Sequence, residues 1–124
     1  MWWGIALANS TKAIVGLGNV TLAGDGEKRF YLYDSSSNKW ERISNYPSAG
    51  INNRAIGFEL NGQFYVKTTY SDHFYSYSVG SNYWNYVPTN VYSDLDMGIG
   101  FSMGGKAYLG LGETNAMWEY DPSR

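Results

Sequence analysis

The stretch GFELNGQFYV at residues 57–66 decides the fold, because it recurs without a gap as GFSMGGKAYL at residues 100–109. An aromatic-rich run has nearly the same period and appears as FYLYD at 30–34, FYSYS at 74–78 and MWEYD at 117–121. Trp40 and Trp84 stand at equivalent places in the first two copies. A fixed period of about 43 residues indicates a repeat protein.

Each repeat contains four short runs of alternating or aromatic residues separated by turn residues, which in the second copy are 54–60, 63–69, 73–78 and 83–87. Asn61-Gly62 between the first two runs is typical of a type I′ hairpin, because both central residues of that turn need a positive φ. Gly104-Gly105 occupies the same place in the third copy. Consecutive hairpins of this kind predict a four-stranded antiparallel meander.

Such a meander cannot bury both of its faces alone, so copies stack, and radial stacking gives a β-propeller. We therefore predict an all-β partial propeller of three four-stranded antiparallel blades, the third without its outermost strand. The predicted blades are residues 1–47, 48–90 and 91–124. A β-sandwich is the alternative, although a sandwich gives no reason for aromatic positions to recur at one spacing.

Composition excludes several functional classes. With 44% hydrophobic and 18% aromatic residues, the 124-residue chain can bury a core, and its length suggests a single domain. Nine basic and eleven acidic residues, with no basic stripe, argue against a nucleic-acid partner. The chain has no cysteine, which excludes disulfides, thiolate metal sites and a cysteine nucleophile. No apolar run is long enough to predict a membrane span.

The repeats resemble the kelch family, including bacterial kelch proteins and the central domain of galactose oxidase. The residues that carry the resemblance are Gly-Lys-Ala-Tyr-Leu-Gly at 105–110, Tyr-Asp-Pro at 120–122, and the two repeat tryptophans, while Gly-Leu-Gly at 16–18 and 110–112 departs from the family's double glycine. Kelch propellers have five to seven blades, and three cannot close a ring. The resemblance therefore implies that further blades come from a longer chain or from a second copy in a homodimer. It also implies an exported protein, periplasmic or at the cell surface.

The long connections of a propeller built from these repeats lie at one end of the blades, and we predict that this end is the recognition surface because binding residues concentrate on loops held by a rigid scaffold. The candidate binding residues are Asn53, Arg54, Tyr70, Asp72, His73, Asp94, Asp96, Glu113 and Asn115. Arg54 offers a planar donor fork for a carboxylate or for sugar hydroxyls.

Catalytic chemistry is not indicated. His73 is the only histidine, which excludes a multi-histidine metal site within one chain. Asp94 and Asp96 could serve acid–base chemistry or bind a cation, but solvated loop residues explain them as well. We predict no catalytic residue, no cofactor and no metal.

The predicted function is that of an interaction module that recognises a glycan or a protein. Alternatively, the chain is part of a carbohydrate-active enzyme, which the resemblance implies because the kelch family includes a sialic-acid mutarotase. A purely structural repeat is the other alternative.

Overall fold

The computed structural model describes residues 4–18, 28–47, 55–68, 73–88, 98–111 and 117–123. These residues form three antiparallel sheets, called blades 1, 2 and 3, and contain no helix. The strands in chain order are β1 (Ile5–Ala8), β2 (Lys12–Gly16), β3 (Phe30–Asp34), β4 (Lys39–Ile43), β5 (Ile56–Leu60), β6 (Gln63–Lys67), β7 (His73–Ser78), β8 (Tyr83–Pro88), β9 (Ile99–Met103), β10 (Lys106–Gly110) and β11 (Met117–Tyr120).

Each blade is a meander in which neighbours in sequence are neighbours in the sheet. Blade 1 has the order β1-β2-β3-β4, blade 2 has β5-β6-β7-β8, and blade 3 has β9-β10-β11 within the described part of the chain. The predicted all-β partial propeller, with three strands in its last blade, is confirmed. The residue limits predicted for the three blades stay a prediction.

The two short hairpins have the predicted turn geometry. Asn61 and Gly62 have φ of 53° and 84°, and Gly104 and Gly105 have φ of 64° and 80°. Left-handed values at both central residues match the right-handed twist of the flanking strands, which is why type I′ turns join tight hairpins. The two phrases that revealed the repeat therefore also set the register of β5 with β6 and of β9 with β10.

The predicted strand limits in blade 2 were wrong at three ends. β5 begins at Ile56 rather than at residue 54, and β6 ends at Lys67 rather than at residue 69, where the pairing of Ile56 with Lys67 closes the ladder. β8 continues to Pro88, which lies opposite His73. A proline is tolerated there because β8 is an edge strand and one side of its backbone needs no ladder hydrogen bond.

Side chains that alternate along each strand form two interfaces between the blades. The first packs Ile14, Leu17, Phe30, Leu32, Ile43 and Tyr46 of blade 1 and its following segment against Phe64, Val66, Tyr77 and Trp84 of blade 2. The second packs Ile56, Phe58, Leu60 and Phe74 of blade 2 against Ala107 and Leu109 of blade 3. Blade 2 is thus covered on both faces, as radial stacking requires.

Glycine at the start of the repeat phrase allows the innermost strands to approach closely. A Cβ added to Gly57 would lie 3.1 Å from Cδ1 of both Ile5 and Leu7, and it would run into the carbonyl oxygen of Tyr65. A Cβ added to Gly100 would run into the carbonyl oxygen of Gly57. The same small residue therefore recurs wherever one blade meets the preceding one.

Tyr46, in the segment that follows β4, packs in the first interface and connects blade 1 to blade 2. Its backbone N–H donates to the carbonyl of Lys28 at 2.8 Å, and its phenol donates to the carbonyl of Val66 in blade 2 at 2.9 Å. Its ring contacts those of Tyr75 and Trp84 at centroid distances of 5.4 and 5.1 Å. Because the side chain is almost fully buried, one residue joins two blades by both packing and hydrogen bonding.

The third strand of two blades ends in the same capped turn. Asp34 accepts hydrogen bonds from the backbone N–H and the hydroxyl of Ser36 at 3.0 and 2.7 Å, and Asp121 accepts the equivalent pair from Ser123 at 2.9 and 2.6 Å. The bonds from Ser36 hold the pKa of Asp34 below its usual value, with Lys12 adding to the effect. The aspartate that follows this strand's last tyrosine therefore has a local structural role.

None of the described segments forms a helix that is long and apolar enough to cross a membrane.

Candidate functional site

The antiparallel meander separates short and long connections. The hairpins that join the first to the second strand and the third to the fourth lie at one end of each blade, which we call the tight-turn face. The opposite end of the blades, where each second strand ends and each third strand begins, is called the long-loop face. The predicted recognition surface is this second end.

Of the predicted site residues, His73 lies within the described part of the chain. It begins β7 at the long-loop face, as its place in the repeat predicts, and its side chain is half-buried. The predictions for the others fall outside the described residues: Asn53, Arg54, Tyr70, Asp72, Asp94, Asp96, Glu113 and Asn115.

His73 is part of an aromatic cluster, which we call the aromatic patch and define as His73, Tyr75 and Tyr86. The imidazole lies 4.7 Å from the ring of Tyr86 and 5.2 Å from that of Tyr75, measured between centroids. Tyr75 and Tyr86 are cross-strand partners whose rings meet edge to face at 5.9 Å. Pairing across β7 and β8 therefore fixes all three rings on one face of blade 2.

The aromatic patch runs from the core to the surface. Its inner end is anchored because Tyr75 meets the buried ring of Tyr46 at 5.4 Å. At its outer end, Tyr86 is 59% exposed. An aromatic ring that is held in place and still exposed offers a large apolar contact area together with a hydroxyl, which is why tyrosine is enriched at binding surfaces.

Lys67 is a second feature of this end of blade 2, and sequence reasoning did not find it. Its side chain is completely buried at the end of β6, and Nζ donates to the carbonyl of Thr68 at 3.3 Å. Buried lysines are uncommon and often have a functional or organising role. Lys67 lies between Val66 and Thr68 at the end of β6, and no motif in the sequence marks it as buried.

The tyrosines of the interfaces are held as neutral phenols. Burial raises the pKa of Tyr46 above its usual value, with the nearby Tyr75 contributing. Burial likewise raises the pKa of Tyr65 and Tyr77. The raised pKa values keep these phenols neutral at neutral pH, so each can donate a hydrogen bond.

A shallow cleft of about 190 Å³ lies on the outer part of blade 1, lined by Leu32, Asp34, Ser37, Lys39, Trp40 and Glu41. It is smaller than the roughly 300 Å³ at which small-molecule pockets begin. Across the described residues, histidine and carboxylate side chains do not gather into a group able to hold a metal ion. The aromatic patch, which starts with His73 at the long-loop end of β7, is therefore the best supported candidate site among the described residues.

Comparison with solved structures shows the same fold in YjhT. The two structures match with a TM-score of 0.66 and 21% sequence identity, and the match covers 86% of this chain. The matched region is 33% of the YjhT chain, so this chain spans about a third of that structure. The likeness supports the predicted kelch-like propeller fold. No known family profile matches the sequence, and no curated protein matches it. Membership of the kelch family therefore stays a prediction.

Proposed function

We propose that this chain acts as a binding module that recognises a glycan or a protein through its long-loop face. The observation that carries the proposal is the aromatic patch, in which Tyr86 stays 59% exposed while His73 and Tyr75 hold its ring in place. Exposing an aromatic ring costs free energy in the unbound protein, and a ligand that covers it recovers that free energy.

The chemistry of the patch suits both ligand classes. The C–H face of a sugar ring packs against a tyrosine ring, and the tyrosine hydroxyl offers a hydrogen bond at its rim. A protein segment would use the same ring as a buried anchor, since tyrosine is enriched among the residues that dominate binding energy. The rigid sheet beneath the patch lowers the entropy lost on binding.

The matched control lies on the same strand. Tyr83 and Tyr86 both belong to β8 and are exposed to a similar degree, at 63% and 59%. Tyr86 lies in the aromatic patch, whereas Tyr83 lies next to the β7–β8 turn and pairs with Ser78. A ligand at the long-loop face should therefore distinguish the two.

The test is a glycan array followed by calorimetric titration of any hit, with a peptide library as the second arm. Tyr86→Ala should weaken binding about tenfold or more, since anchor residues contribute at least 1–2 kcal/mol. Tyr83→Ala should leave the affinity unchanged. Equal effects of the two substitutions, or loss of binding only with Tyr83→Ala, would contradict the proposal. Turnover of a bound sugar would instead support the enzyme alternative.

A further inference from the structure

Two blade faces are not covered by another blade of the described residues, and most of the large exposed apolar side chains of those residues lie on them. Six of the nine large apolar side chains that are exposed among the described residues lie on them: Tyr31 and Trp40 on blade 1, and Ile99, Phe101, Met103 and Met117 on blade 3. We define the blade 3 open face as Ile99, Phe101, Met103, Tyr108 and Met117. We define the blade 1 open face as Gly4, Ala6, Tyr31, Tyr33 and Trp40.

The blade 3 open face repeats the face that blade 2 presents to blade 3. Phe101 stacks on Tyr108 at 5.5 Å, just as Phe58 stacks on Tyr65 at 4.7 Å in the equivalent positions. In the covered pair, Tyr120 of blade 3 lies 5.8 Å from both rings. The open pair therefore has the shape of a surface that receives a tyrosine from a following blade.

The blade 1 open face supplies that tyrosine. Tyr33 is the repeat equivalent of Tyr120, and it lies opposite Trp40 at a ring distance of 5.1 Å. The corresponding pair in blade 2, Tyr77 and Trp84, has the same distance of 5.1 Å and is buried against blade 1. The blade 1 open face thus has the aromatic pair that blade 2 uses to dock.

Side-chain size on the innermost strands is complementary as well. Gly57 of blade 2 fits beneath Ile5 and Leu7 of blade 1, whose repeat equivalents in blade 3 are Phe101 and Met103. The blade 1 open face has small residues at the receiving positions, Gly4 and Ala6. Large side chains on one open face therefore meet small ones on the other.

We propose that the blade 3 open face docks on the blade 1 open face of a second copy of this chain, with Tyr33 of that copy covering Phe101 and Tyr108. The contact continues the geometry of the two interfaces already present, and two copies joined in this way at both ends would close a ring of six blades. Each contact joins two different faces, and a ring of two copies of the 124-residue chain contains this contact twice, related by a two-fold axis. It is independent of the ligand proposed for the long-loop face.

Sedimentation velocity of the 124-residue chain at concentrations from about 1 to 100 µM tests the contact, since interfaces of ordinary size associate at micromolar or lower concentrations. The wild type should reach about twice its 13.9 kDa. Phe101→Glu and Tyr33→Ala should each give a folded monomer, with an unchanged far-ultraviolet circular dichroism spectrum. Tyr83→Glu, on an exposed position outside both open faces, should still associate.

Cross-linking tests the direction of the contact, because the chain has no native cysteine. A short bismaleimide should join Ala6→Cys to Met103→Cys when the two variants are mixed, and should join neither variant to itself. A wild type that stays monomeric at every concentration would overturn the proposal. Association that survives Phe101→Glu, or cross-linking of Ala6→Cys alone, would also overturn it.

Discussion

Gly57→Ala is the most informative single substitution, because Gly57 lies where two blades come closest. The added Cβ would meet Cδ1 of Ile5 and of Leu7 at 3.1 Å and would run into the carbonyl oxygen of Tyr65. The methyl groups can move slightly, but the carbonyl belongs to the β5–β6 ladder and cannot move without breaking pairs. Overpacking of this type costs about 1–3 kcal/mol, and the lower entropy of the unfolded chain offsets about 0.4–1 kcal/mol of it.

The net expectation for Gly57→Ala is a loss of about 1.3 kcal/mol, which lowers Tm by roughly 5 °C in a domain of this size. The control is Gly80→Ala in the β7–β8 turn, where an added Cβ has no neighbour within 4 Å and φ is not in the left-handed region. That variant should be neutral or stabilised by up to about 1 kcal/mol. Thermal unfolding followed by circular dichroism measures both. If the two variants unfold within about 2 °C of each other, the reasoning about close blade approach is wrong.

Three further tests concern a buried indole, a buried phenol and two leucines with left-handed backbone conformations. Trp84→Phe should lower the free energy of unfolding by about 2 kcal/mol, because it removes a buried indole and its hydrogen bond to the carbonyl of Ser44. Trp40→Phe, at an exposed position, should lower it by less than about 0.5 kcal/mol. Urea unfolding at submicromolar protein concentration measures both. The raised pKa of Tyr46 means that the unfolded chain ionises first, so stability should fall as pH rises above 10.0. Urea midpoints from pH 8 to 11.5 should therefore fall less steeply for Tyr46→Phe, and parallel curves would contradict this account. Leu111→Asn should stabilise the protein by about 0.5–1 kcal/mol, because Leu111 is exposed with a φ of 56° and asparagine adopts this left-handed conformation more readily than leucine. The same change at Leu17, which has a φ of 60° but is buried, should destabilise the protein.

The sequence predicts much of the fold because turn chemistry and side-chain alternation are local. Asn61-Gly62 and Gly104-Gly105 needed no tertiary information to indicate type I′ hairpins, and the φ angles confirm them. Alternation then placed apolar residues on both faces of the second repeat, which a blade covered on each side requires. Period and alternation together predicted the stacked sheets.

A second turn signal was present in the sequence and was missed. The phenol of Tyr33 donates to Oδ1 of Asn38 at 2.7 Å, and Tyr77 donates to Asn82 at the same distance. Both asparagines have positive φ, of 54° and 51°, in turns that join the third and fourth strands. The five-residue spacing recurs one repeat later, so the same comparison that found the strands could have found this clamp.

The Gly-Leu-Gly segments at 16–18 and 110–112 have a leucine where the double-glycine pattern has a glycine, and this leucine keeps a backbone conformation that favours glycine. Leu17 and Leu111 stand at equivalent positions, and both have left-handed φ, which favours glycine. Leu17 is held there by burial and by the hydrogen bond from its N–H to the carbonyl of Arg29 at 3.1 Å. Tertiary packing outweighs the local preference at this position.

Tyr46 and Lys67 could not be predicted, because their roles depend on contacts between separate repeats. Tyr46 lies in a connection with no repeat signal, yet its phenol reaches the next blade. Lys67 occupies the position of Gly16 in the first repeat and is fully buried. For the candidate site, the sequence predicted only the end of the blade at which His73 lies. The aromatic patch could not be predicted, because it depends on which residues of β8 lie opposite those of β7.

Nuclear Overhauser effects from selectively methyl-labelled protein test blade stacking most directly. The δ1 methyl group of Ile5 should show a strong effect to an α proton of Gly57, because its carbon lies 3.1 Å from the position of an added Cβ. A methyl group of Leu7 should show the same effect. Absence of both effects, with Ile5 and Leu7 instead contacting residues other than those of blade 2, would show that the sheets do not follow one another around a common axis.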